Sequence, residues 1–436
     1  MRHLVYCFLL VASISAQAAT TIQHWVNRDG VLIYLVEAKT IPMVDVQVDW
    51  PVGSASDPQS KIGLASMTAA LIDKGAVANK KVLTEAAIAD KLADLGAVLS
   101  FSAGAERSSM RMRSLSDAKR VNELVSLTAQ ILNEPLFDSK VLSREKDRTI
   151  MAIKEAQIKP EVILSKEFDR QIYGSHPYGL SASVATVQSI TQKDVKDFYF
   201  NRYSKKGVKV SIVGDIDKAS ADQLVEKVLA GFPKEAKITQ SVPEVSLFQP
   251  NSSKVIKIPH AAQQAHISMG MPTIARKNPD YFPMLVGNYI LGGGGFVSRL
   301  VKEVREKRGL AYSVYSYVSP GRQIGPYVAG MQTQQSQADL AVDVMKKTIS
   351  EFIEHGPTDE EMNAAKDNLI NGFPLRIDSN RKILDNVASI AWNDLPLDTL
   401  DTWRDQLKAV TKEQVKAAFK THLDMNRMVT VVVGAP

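Results

Sequence analysis

The chain has 436 residues, 45% of them hydrophobic and 23% charged, with 53 Lys+Arg against 47 Asp+Glu and a formal net charge of +6. This balance excludes a disordered chain, which combines low hydrophobicity with high net charge; the basic residues are scattered among acidic ones, so the clustered footprint of a nucleic-acid binder is missing too. One cysteine, Cys7, excludes a disulfide framework, and after the N-terminus no apolar run reaches the roughly 18 residues of a membrane-spanning helix.

In chain order, Arg2, the apolar run from Leu4 to Ile14 and the small-residue sequence Ala16-Gln17-Ala18 predict a secretory signal peptide over residues 1–18. Cys7 lies inside it, upstream of the apolar centre, so it is not placed as a lipid-modified N-terminus. The expectation is a bacterial periplasmic protein without stable membrane insertion, starting near Ala19 or Thr20. The remaining 436 − 18 = 418 residues exceed what one hydrophobic core usually serves.

The segment Gly63–Gly75 reads as a helix with a glycine at each end. A helix-like stretch from Leu83 to Leu95 ends at Gly96, which suits a left-handed cap, before a strand over Ala97–Ala103. Further on, Thr191, Val195, Lys196 and Tyr199 precede the strand Val208–Gly214, and Thr411, Val415, Lys416 and Phe419 precede Met428–Gly434. The spacing is identical, 411 − 191 = 434 − 214 = 220, and marks an internal repeat. Between the repeats, Phe232 to Ser253 holds Pro233, Pro243 and Pro250 with no sustained period, the composition of a linker. The predicted organisation is an N-terminal domain at 19–232, a linker at 233–253 and a C-terminal domain at 254–436. Each domain is expected to be α+β, a largely antiparallel sheet with helices on one face, and the pair to enclose a cleft.

In the second half, four glycines, Gly292, Gly293, Gly294 and Gly295, cannot make a core strand and suit a flexible loop open to close approach by a peptide backbone. They lead into a helix-like stretch from Val297 to Arg308, a capping Gly309 and a strand over Leu310–Val318, with Arg305 and Tyr312 seven positions apart.

These motifs together resemble the pitrilysin/insulinase-type family of zinc peptidases, which includes the mitochondrial processing peptidases. In that family the first helix reads Gly-Leu-Ala-His-x-x-Glu-His. Histidines four apart share a helix face and bind Zn²⁺, and the glutamate acts on the metal-bound water. Here the frame Gly63-Leu64-Ala65 is kept, but the ligand and base positions hold Ser66, Ala69 and Ala70. The resemblance places the third ligand, a glutamate, near Asp147 to Glu155, with both acids open as counterparts. None of His24, His176, His260, His266, His355 and His422 forms a metal-ligand spacing, and no Gly-x-Ser-x-Gly or phosphate-cradling motif replaces the lost site. His176 sits in Gly174-Ser175-His176-Pro177-Tyr178-Gly179, a loop the family carries outside its metal site.

The second half is similar to the family's glycine loop and its arginine/tyrosine segment, in which an arginine and a tyrosine seven positions apart contact the bound peptide. The resemblance thus implies a subunit with no metal of its own. It would bind unfolded peptide through Arg305, Tyr312 and Gly292–Gly295, beside a homologous partner that carries the zinc. The alternative from a different class is a catalytically inactive scaffold or peptide-binding protein that keeps the peptidase shell.

Overall fold

The structure is a computed structural model that describes residues 21–78, 80–239, 241–245 and 254–434. The signal-peptide residues 1–18 and the linker residues Pro250 and Ser253 lie outside the described residues, while 233–239 and 241–245 carry neither helix nor strand.

Each half builds one sheet. The strands of the first half are β1 (Gln23–Val26), β2 (Leu32–Glu37), β3 (Met43–Trp50), a small hairpin of β4 (Gly75–Ala78) and β5 (Lys81–Thr84), β6 (Val98–Ala103), β7 (Ser108–Leu115) and β8 (Lys209–Gly214). Those of the second are β9 (Lys254–Ile258), β10 (Gln264–Ile274), β11 (Ala311–Val318), β12 (Gly325–Gln334) and β13 (Val429–Val433). The sheets run β1-β2-β8-β3-β7-β6 and β9-β13-β10-β12-β11. In both, the strand that ends the half pairs parallel with the first long strand (β8 with β2, β13 with β9) and antiparallel with the next (β3, β10). The expected antiparallel α+β plan, written twice, is therefore the fold.

The repeat extends beyond the motifs that revealed it. Helices begin at Ala118 and Ala338, Ser139 and Asp359, Pro160 and Asn380, and Gln192 and Lys412, each pair 220 residues apart. The last pair share a capping box, in which the Thr191 or Thr411 hydroxyl accepts from the backbone N–H three residues on and the Asp194 or Gln414 side chain answers. Gly96 and Gly309 take the left-handed conformation expected of them, with φ +60° and +62°.

One feature is absent from the sequence pattern: the halves exchange a helix. Pro160–Tyr173, from the first half, lies on the second sheet, where Leu164, Phe168 and Ile172 form a small core with Val328, Val429, Val431 and Val433. Asn380–Trp392, from the second half, lies in the same way on β8 and β3 of the first sheet. The face it covers is polar, with Asp45, Gln47, Asp49, Lys209 and Ser211 all buried. Asp49 accepts from Arg107 (2.9 Å) and Gln47 (2.9 Å), and Arg113 donates to Asp45 (2.6 Å), so these buried charges are paired.

The end of that helix is clasped from both halves. The Lys209 ammonium donates to the carbonyl of Ala391 (2.6 Å) and to the Asp394 carboxylate, placing a cation at the helix C-terminus, where the helix dipole favours it. Burial, partly offset by Asp394, lowers the Lys209 pKa. The guanidinium groups of Arg107 (5.2 Å) and Arg322 (5.3 Å) both lie over the Trp392 ring, and its indole N–H donates to Glu106 at 3.1 Å. Trp392→Ala is expected to cost about 3 kcal/mol and to lower the urea midpoint of the whole chain; an unchanged midpoint would show that the clasp does not join the halves.

Candidate functional site

The helix Leu64–Leu71 that corresponds to the zinc-motif segment is intact as structure. Its N-cap Gly63 sits at φ +107° and offers no side chain, so the Asp57 carboxylate caps the helix from outside, accepting from the N–H groups of Gly63 (2.8 Å) and Ala65 (2.9 Å). Ser66 and Ala70 face outward, while Ala69 is buried at 2% exposure. A serine hydroxyl and two methyl groups do not fit a zinc ion, which takes thiolate, imidazole or carboxylate donors.

Of the acids considered for a third ligand, Asp147 is exposed and Glu155 pairs with Lys159 at 2.9 Å on the surface. Among the described residues no group of three or more His, Cys, Asp and Glu side chains is placed to hold a metal ion. Most histidines have structural partners instead. The His176 ring donates to Pro243 O (2.9 Å) and accepts from the Tyr178 N–H (3.1 Å), His260 donates to Ile158 O (3.0 Å), and His422 pairs with Asp280 (2.8 Å).

In the second half, the glycine run is not the open loop expected of it. Tyr289–Gly293 is a π-helical turn and Gly295–Val297 a 3₁₀ turn. Gly292 packs against β11 so closely that a Cβ there would lie 2.4 Å from Ser316 Oγ; at Gly293 and Gly294 a Cβ would meet Asn288 (2.8 Å) and Tyr289 O (2.7 Å). Three of the four glycines serve packing within the chain, which a sequence pattern does not reveal. Only Gly295, at φ +61° with nothing within 4 Å, stands open.

The structure does bring Arg305 and Tyr312 together. Arg305 lies on the helical turn Val301–Glu306, and Tyr312 is the extra residue where the β11–β12 register shifts between Ala311 and Ser313. A bulge of this kind re-aims a side chain. The Arg305 guanidinium rests 4.9 Å from the Tyr312 ring and 4.9 Å from that of Phe296, which follows the glycine run. Tyr312 is 82% and Phe296 67% exposed. Phe296 was not singled out in the sequence, although its place directly after Gly295 is the signal that marks it. The two rings hold the guanidinium plane without using its forked N–H donors on a carboxylate.

A two-lobed shell with exchanged helices, a metal-motif helix stripped of donors and a solvent-facing arginine/tyrosine pair defines an incomplete peptidase-type module. Residues 32–185 match the family model described as Insulinase (Peptidase family M16), and residues 189–369 the model described as Peptidase M16 inactive domain. Together these cover 154 + 181 = 335 of 436 residues. The chain belongs to the M16 peptidase family. It is 23% identical over 441 residues to a Helicobacter pylori protein described as a non-peptidase homolog, spanning 100% of this chain and 99% of that one. Its fold is similar to a crystal structure described as a peptidase M16 inactive domain from Pseudomonas fluorescens, with TM-score 0.89 and 29% identity over 95% of this chain and 98% of that one. It is also similar to the periplasmic protease PqqL from Escherichia coli, with TM-score 0.79 and 15% identity over 96% of this chain and 46% of that longer one. No described helix is long and apolar enough to cross a membrane.

Asp57 gives the cap a measurable signature. Burial outweighs its backbone hydrogen bonds and raises its pKa from 3.8 to about 6. The folded state thus binds the proton more tightly than the unfolded one, and this group's contribution to stability is full below about pH 4 and is lost as pH rises through 6. Asp57→Ala is expected to destabilise the chain by about 1–2 kcal/mol through the lost cap, with the gap from wild type widening as pH falls from 7 to 4. Urea unfolding of both proteins across that range checks it, and a gap that narrows would contradict the assignment.

Proposed function

We propose that this chain is the substrate-binding, non-catalytic subunit of a heterodimeric periplasmic metallopeptidase, whose partner, a homologous subunit, carries the zinc and the attacking water. The observation that carries the reading is the Phe296–Arg305–Tyr312 arrangement, a half-buried guanidinium oriented by two rings beside an exposed phenol. It is kept in a chain whose metal positions hold Ser66, Ala69 and Ala70.

Each of the two groups has a role in peptide hydrolysis. The Arg305 fork holds a backbone carbonyl or carboxylate of the peptide through parallel hydrogen bonds. The Tyr312 hydroxyl donates to the scissile carbonyl oxygen, where negative charge develops as the partner's water adds, and a donor of this type stabilises the transition state more than the ground state. Gly295 gives the peptide backbone an unobstructed approach. The signal-like N-terminal sequence and the fold shared with a periplasmic protease support the location.

In the reconstituted pair, Arg305→Ala and Tyr312→Phe are each expected to lower kcat/KM for an unstructured peptide by about one to two orders of magnitude, with assembly and thermal unfolding unchanged. Full turnover by both variants would instead favour a scaffold or peptide-binding protein that takes no part in hydrolysis.

A further inference from the structure

The exchanged helix Asn380–Trp392 covers β8 and β3 of the first sheet and leaves β7 and the edge strand β6 open beside it. Successive residues of a strand point to opposite faces, so Arg111 and Arg113 of β7 stand on the open strip while Met110 and Met112 turn into the core on the other side. Arg381, in the first turn of the helix, meets the two arginines across the strip. With Val98 and Ser100 of β6 and with Asp45 of β3, the three guanidinium side chains bound a cavity of about 160 Å³.

The charges here do not balance. Arg113 donates to Asp45 at 2.6 Å and Arg111 to Asp385 at 2.6 Å, but Arg381 has no ion-pair partner among the described residues. Its charge also works against the helix that carries it. Arg381 is the second residue of Asn380–Trp392, at the end where the helix dipole is positive and favours an acid. The repeat makes the contrast explicit: 381 − 220 = 161, and Glu161, the dipole-favoured residue type, holds the same place in the other exchanged helix. Asp45 is incomplete in its own way. It is 4% exposed, it spends one oxygen on Arg113, and the other accepts no hydrogen bond. The cavity is thus short of one negative charge and one hydrogen-bond donor.

We propose that this cavity is a subsite for an acidic side chain, a glutamate or aspartate of an unfolded peptide. Its carboxylate takes the unused fork of Arg381, the geometry in which a guanidinium binds a carboxylate through two parallel hydrogen bonds, and a backbone N–H of the same peptide completes the open Asp45 oxygen. A peptide residue supplies both missing groups at once, the anion from its side chain and the donor from its main chain. At about 160 Å³ the cavity is smaller than the roughly 300–1,000 Å³ of typical small-molecule pockets, a size suited to one side chain. The stability that Arg381 costs its helix is then the cost of holding a cation ready for a ligand. The inference rests on the peptide-binding reading above and names a residue type that it selects.

The test is fluorescence anisotropy with the full mature chain at neutral pH, using a labelled unstructured peptide with both ends blocked and one central glutamate, and the same peptide with glutamine in its place. The glutamate peptide is expected to bind about tenfold tighter, the effect of one charge-assisted hydrogen bond. Arg381→Gln should bring the ratio toward one, and Arg381→Lys should keep part of it, because the charge stays and the fork is lost. Arg148→Gln, which removes an exposed charge from another helix, should leave the ratio intact and so separates the subsite from a general attraction of the basic chain for acidic peptides. Folding does not confound the result, since Arg381 is exposed and opposes its helix dipole, and Arg381→Gln is expected to unfold at no lower urea concentration than wild type. Equal affinity for both peptides, or a ratio unmoved by Arg381→Gln, overturns the subsite and leaves the peptide-binding reading standing. Binding of neither peptide overturns both.

Discussion

The reciprocal exchange of helices is the constraint on which the rest of the molecule depends. Each sheet buries one face against helices of its own half; the other face is covered only because the opposite half lends it Pro160–Tyr173 or Asn380–Trp392. Neither half has a complete sandwich alone, so the 220-residue repeat is a structural pair rather than two beads on a string. The two crossings are not chemically alike. Phe168 and its neighbours sit on valines and on Gly270, where a Cβ would lie 2.0 Å from Tyr327 O, whereas Asn380–Trp392 sits on a buried ladder of Asp45, Gln47, Asp49 and Lys209. Apolar contact makes the first tolerant of small shifts; paired buried charges make the second specific about position, because a displaced partner leaves an uncompensated charge.

This geometry also sets where the sheets stay uncovered. The lent helices are too narrow to span their sheets, and the uncovered strips beside them become grooves along β7–β6 and β12–β11. Strand β11 carries the Arg305-facing Tyr312 at its bulge, and that bulge decides which of its side chains face the turn bearing Arg305 and which face the helix Pro160–Tyr173. The helix Leu64–Leu71 shows the complementary fact: Asp57 preserves its start although the residues that would do chemistry on it are gone. The helix is kept without the donor residues, as is possible when a site is grafted on a common architecture.

Much of the fold was legible in the sequence for identifiable reasons. Thr191 and Thr411 announce their helices because a capping box is a local, side-chain-encoded signal, and Gly96 and Gly309 mark left-handed caps because glycine adopts that conformation readily. The loss of zinc ligands at Ser66, Ala69 and Ala70 was equally plain, since donor chemistry is a property of residue type. The helix exchange was not legible, because the amphipathic stripe of Pro160–Tyr173 shows that a face is buried but not which sheet buries it. The glycine run misled for a related reason: an expected loop at Gly292 is a packed turn because Ser316, twenty-four residues on, leaves no room for a Cβ. Phe296 escaped notice because its contact with Arg305 arises only when separate elements meet in space.

The central claim is that the chain is one part of a shared active site. The most direct measurement is affinity capture of the mature chain from the periplasmic extract of its own cells, with the stoichiometry of co-purifying protein and the zinc content determined together. The account predicts a partner of similar size at near-equal amounts, bearing an intact His-x-x-Glu-His helix, with zinc in the complex and none in the isolated chain. Recovery of the chain alone, or as a metal-free homodimer, would contradict it.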